Sequence, residues 1–141
     1  MNTLSIRAPW WWAILHLGKN IENRDWPTRV RGRILLHASK WYVERDVCED
    51  LNGIFRMDRR FIDKCGGTGH PVTYLKRWGG CVVGSVEIVD CVTESDSPWF
   101  MGKYGFVLRD PIVFEHPTPW KGRLGFFEGP DCVQVNNEVT Q

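Results

Sequence analysis

The chain has 141 residues, enough for one domain, and its 43% apolar and 25% charged content excludes disordered, collagen-like and coiled-coil chains. A net charge of +1 excludes a uniformly basic surface. The charge is uneven, however: seven basic and three acidic residues lie between Gly18 and Arg45, and such a segment either binds phosphate locally or forms a solvated face.

Leu4 and Ile6, two apart, open a strand. Pro9 suits the first turn of a helix. Trp10, Ile14 and Leu17 follow at helical spacing, and Gly18 ends the helix. Three consecutive tryptophans, Trp10 to Trp12, cannot all point inward from one helix, so at least one lies at an edge or over a cleft. Asn20 to Arg24 is short and extended, Trp26-Pro27-Thr28 is a turn, and Gly32 to His37 is a strand. Ser39 caps a second helix, whose apolar face is Val43, Val47, Leu51, Ile54 and Phe55. Residues 56–70 are polar and glycine-rich, which predicts a mobile insertion.

Val72 to Trp78 reads as a short helix and Cys81 to Val92 as the clearest strand. In that strand Val82, Gly84, Val86 and Ile88 share one phase and Val83, Ser85, Glu87 and Val89 the other. Tyr104 to Leu108 is a further strand, with Gly105 allowing close backbone approach. Pro111, Pro117 and Pro119 are expected to break the connection before a last strand, Leu124 to Phe127, and the tail 134–141 to fray. The sum is an α+β domain over residues 1–133: a small mixed β-barrel of five to six strands flanked by two or more helices.

The five cysteines form no CxxC pair and are odd in number, which argues against a disulfide framework or zinc finger. Gly66-Gly67-Thr68-Gly69 lacks the strand before and helix after that a phosphate cradle needs. Neither a metal nor a cofactor is expected. The apolar run Ala8 to Leu17 is too short to cross a bilayer, and no signal-peptide pattern is present. The expectation is a cytoplasmic protein without a membrane contact.

Gly18-Lys19-Asn20-Ile21-Glu22-Asn23-Arg24 resembles the GxKxxExR signature of the ASCH (activating signal cointegrator homology) family. Four further segments look like family segments in the same order: Leu4 to Trp10, Ile34 to Lys40, Gly84 to Asp90 and Lys121 to Gly125. The resemblance implies a PUA-like barrel with the heptad lining a cleft. It also implies dealings with RNA or a modified base, since PUA-like relatives bind them. Some ASCH proteins hydrolyse N4-acetylcytidine, while others are described as ribonucleases or as nucleic-acid-binding coactivator modules. Those hydrolases place a threonine nucleophile where this chain has Glu22, so their covalent mechanism does not carry over unchanged.

Physical chemistry makes the heptad a candidate site in its own right. In an extended segment Glu22 and Arg24 share a face, with Lys19 at the helix-to-strand junction. A partly desolvated lysine near an arginine has a lowered pKa, as a general base requires. In that reading Lys19 moves a proton, Glu22 orients substrate or water and Arg24 holds an oxyanion or phosphate. The alternative is a salt-bridged corner. Further candidates for ligand contact are Trp10, Trp26 and Trp99 for stacking, Arg29 for phosphate, and His37, Ser39, Lys40 and Glu87 for polar contacts. Each has a plain structural reading: core packing for the tryptophans, a helix cap for Ser39, a satisfied strand-end histidine for His37 and a solvent-facing strand residue for Glu87. The partner expected is RNA or an RNA-derived nucleoside or nucleotide. The alternatives are an amidohydrolase of acylated cytidine, a small ribonuclease and a tryptophan-rich protein-interaction module.

Overall fold

The structure is a computed structural model, and it describes residues 1–40, 49–50, 52–54 and 75–131. Six strands form one sheet: β1 (Asn2–Ile6), β2 (Ile21–Arg24), β3 (Gly32–Ala38), β4 (Cys81–Val92), β5 (Tyr104–Pro119) and β6 (Phe126–Glu128). Their order is β2-β5-β4-β3-β1-β6. The β1–β3 pair is parallel and every other pair is antiparallel. Helix α1 (Trp10–His16) follows β1, as the spacing of its apolar residues predicts. Gly18 then takes φ 72°, a left-handed turn open to glycine at no steric cost, and releases the chain into β2.

The sheet is curled into a half-barrel. Phe106 of β5 stacks on Phe126 of β6 at 6.2 Å between ring centres, although four sheet steps separate their strands. Trp26, just after β2, packs edge-on against both rings. The main core fills this curl: Leu4, Ile6, Ile34, Leu36, Val86 and Ile88 from the strands meet Trp11, Trp12 and Ile14 of α1. Of the three consecutive tryptophans, Trp11 and Trp12 are buried and Trp10 is only partly covered, as the helix geometry requires. Residues Leu35, Val82 and Phe114 form a second, smaller cluster.

Two strand expectations are corrected. Pro111, Pro117 and Pro119 do not break the chain but lie within β5. Beyond Leu108, whose N–H still donates to the Asn20 carbonyl, β5 has no strand partner on its β2 side among the described residues, and prolines are tolerated on such a free edge. The pairing with β4 is also irregular there: Val82 faces Thr118 while Gly84 faces Val113. In β4, Leu36 pairs with Gly84 and the next residue, His37, with Val82. Val83 is therefore an extra, bulged residue, and a bulge reverses which face the following side chains occupy. Val83, not Val82, joins Val86 and Ile88 in the main core.

Residues 75–77 are helical, inside the short helix expected from Val72 to Trp78, and 49–50 and 52–54 are helical within the second helix. Most of that second helix, the insertion at 56–70 and the tail at 134–141 fall outside the described residues. Among the described residues no helix is long and apolar enough to cross a membrane.

Candidate functional site

A cavity of about 1030 Å³ opens where the curl is incomplete. One side is β2 with the loop entering β5. The other is formed by the ends of β1 and β3 with the loop entering β6. At its floor lies the heptad. Lys19 and Glu22 are 4% and 7% exposed, very low values for charged residues. The period of two brings Glu22 and Arg24 together as expected: Arg24 Nε and Nη2 both donate to Glu22 Oε2, at 3.1 and 2.8 Å. Arg24 Nη2 also donates to the Ser5 carbonyl at 2.9 Å, so this guanidinium spans the gap between β2 and β1.

Lys19 Nζ lies 3.7 Å from Glu22 Oε1 and donates to the Ile21 carbonyl. The rings of Trp10 and Trp99 flank it at 5.7 and 5.9 Å. Burial holds the Lys19 amine below the ordinary lysine value, and nearby Arg24 adds to that effect. The charge and hydrogen bonding of Glu22 oppose it.

Two supports fix the walls. Asn23 donates to the Trp99 carbonyl at 2.9 Å and accepts from the Met101 N–H at 2.8 Å, stitching the loop before β5 to β2. On the opposite wall His37 is 1% exposed. Its Nε2 is 2.7 Å from the Trp120 carbonyl, which only accepts, so Nε2 carries the proton. Nδ1 then accepts from the Ser5 hydroxyl at 2.9 Å. A Cβ on Gly122 would stand 2.7 Å from His37 Cε1, so the loop 120–123 rests on this ring. Burial pulls the imidazole below its ordinary value, against the Trp120 and Gly80 backbone groups that raise it.

The cavity thus gathers Lys19, Glu22, Arg24, Trp10, Trp26 and Trp99, together with His37, Ser39 and Lys40. Arg29 and Glu87 lie elsewhere. Arg29 is exposed outside the lining, and Glu87 accepts from Arg109 Nε at 2.6 Å on the β4–β5 ladder. The basic run after the heptad is likewise spent outside the cavity. Arg31 lies 3.7 Å from Asp90, and Arg33 donates to Ser85 Oγ and the Asp110 carbonyl.

Sequence reasoning missed Ser5, Asn23, Lys103, Lys121 and Arg123 as lining residues. Lys121 and Arg123 stand in a segment with a recognisable resemblance, and that was the available signal. With them, seven basic and three acidic side chains line the cavity, a local excess of four in a chain of net charge +1.

The family model described as ASCH domain matches residues 4–122. That span includes the floor, the β2 wall and the opposite wall as far as Gly122. The chain belongs to the ASCH domain family. Two relatives are both named Activating signal cointegrator 1. The one from Homo sapiens is 26% identical over 133 residues, and the one from Mus musculus is 25% identical over 133 residues. Each match covers 84% of this ASCH chain but only 20% of the relative, so the chain spans about one fifth of the length of these curated proteins.

Proposed function

We propose that the cavity binds RNA or a nucleoside derived from it. The observation that carries this is the floor: a buried Lys19–Glu22 pair with the half-buried Arg24, walled by three tryptophans and set in a locally basic rim. Aromatic faces take up an unstacked base, hydrogen-bonding groups read its edge and cations meet phosphate. Glu22 Oε2 is committed to Arg24, which makes this carboxylate an anchor for the floor, with Oε1 as its remaining acceptor.

The hydrolytic alternative has one observation in its favour, the desolvated amine of Lys19, which suits a general base. Incubation with N4-acetylcytidine and, separately, with a fluorescent single-stranded RNA distinguishes the two. The expected outcome is saturable binding without cytidine release or strand cleavage, weakened about tenfold or more in Lys19→Met and Glu22→Gln. Cytidine release abolished by both substitutions would establish a hydrolase instead. Absence of any binding by the folded protein would end the reading.

A further inference from the structure

Some cations of the described surface are paired, among them Arg7 on the rim, 3.2 Å from Asp50. Others, such as Arg29, Lys76 and Arg77 away from the cavity, have no carboxylate within ion-pair distance among the described residues. Arg31 and Arg109 have carboxylate partners, and Arg33 is bonded to the protein through Ser85 and Asp110. Lys40, Lys103, Lys121 and Arg123, all exposed and all lining the cavity, have no carboxylate within ion-pair distance among the described residues. They are also divided in space. Lys103 precedes Tyr104, which pairs with Arg24 of β2, so it stands on the β2 side of the gap. Lys40 ends the β3 side, and Lys121 and Arg123 are in the loop entering β6, beside β1. Between the two sides lies the floor of Lys19, Glu22 and Arg24.

Both cationic walls are held in place before any ligand arrives. Asn23 pins the loop leading to Lys103. His37, through Trp120 and under Gly122, supports the loop that carries Lys121 and Arg123. Such preorganisation lowers the ordering cost of binding.

From this division we infer that the site takes an interior nucleotide of a single RNA strand, its base on the floor and its two flanking phosphates on opposite walls. A free nucleoside leaves both walls unused, and a terminal nucleotide engages one. Only a nucleotide with phosphates on both its 5′ and 3′ sides engages Lys103 together with Lys40, Lys121 and Arg123. A base inside a duplex cannot reach a recessed floor unless it leaves the stack, which costs unpairing energy. The inference rests on the reading of the cavity as a base site and adds the polymer and its path.

The test is a titration series against the whole chain: ribonucleosides, their 5′-monophosphates, their 3′,5′-bisphosphates, a short mixed-sequence RNA strand, the same strand as DNA and the same RNA as a duplex. Affinity is expected to rise from nucleoside to monophosphate to bisphosphate, with the RNA strand at least as tight as the bisphosphate and the duplex and DNA weaker. Lys103→Ala and Lys121→Ala, on opposite walls, should each weaken the bisphosphate about tenfold more than the nucleoside. Nucleosides that bind as tightly as their bisphosphates, or a Lys103→Ala variant with unchanged bisphosphate affinity, would overturn the two-wall path and leave the base site standing. Strand binding indifferent to both wall variants and to Lys19→Met would place the RNA elsewhere and overturn both. DNA bound as tightly as RNA would overturn the assignment to RNA.

Discussion

His37 acts through its neighbours. Its neutral tautomer gives a proton to the Trp120 carbonyl and takes one from Ser5, and burial lowers its pKa in the folded state. In the unfolded chain the ring returns to an ordinary value near 6.5 and binds a proton more readily. Stability is therefore expected to fall as pH drops below 6.5 toward the lowered folded value. Urea unfolding as a function of pH checks this. His37→Gln, which keeps a donor for Trp120 but has no titrating group, should flatten the slope in that window. Lys19 follows the same sign at higher pH. Its lowered pKa means that stability rises with pH up to about 10.5, and the rise should be absent in Lys19→Met. The heptad was legible in the sequence because the pairing of Glu22 with Arg24 follows from the two-residue period of a strand. Asn23 was not, because its partners, Trp99 and Met101, lie 76 and 78 residues away.

At the scale of elements, α1 and all six strands were legible, and the misreadings cluster where strands are irregular. The bulge at Val83 and the prolines in β5 answer to neighbouring strands, which local sequence does not display. Gly84 marks the same irregular stretch. A Cβ there would meet the Ile112 carbonyl at 2.4 Å and Leu15 Cδ2 at 2.8 Å, so Gly84→Ala forces β4, β5 and α1 apart. A loss of about 1–3 kcal/mol is expected from such overpacking, read as a lower midpoint in denaturant. Gly122→Ala tests a different element. It pushes the loop 120–123 off His37 while leaving the main core untouched. RNA affinity should drop with a smaller change in stability than Gly84→Ala produces, as titration and unfolding of the same samples would show.

For the whole molecule, the charge that matters is assembled by the curl. The sequence places a basic run between Gly18 and Arg45, yet of that run's described cations only Lys19, Arg24 and Lys40 line the cavity. The others on its rim are Arg7, Lys103, Lys121 and Arg123, brought from three separate segments. The logarithm of RNA affinity should fall linearly with the logarithm of salt concentration, by roughly 0.7 per phosphate contact. Lys121→Ala or Arg123→Ala should reduce that slope by about 1 or less, whereas Arg31→Ala, tied to Asp90 away from the cavity, should leave it unchanged.

The position of β1 between β3 and β6 has a consequence for the order in which the protein is made. Of the six strands of this sheet β1 is made first, and it gains a partner on one side once β3 has emerged. Its other side waits for β6, the last strand of the sheet, so through the synthesis of some ninety intervening residues that edge has unpaired backbone groups on offer to any passing strand. The same delay means that the floor and the β2 wall exist on the nascent chain before the Lys121–Arg123 wall does. A chain that stops short of Lys121 has Lys40 alone on that wall, and full affinity for a strand is expected only once β6 has paired with β1.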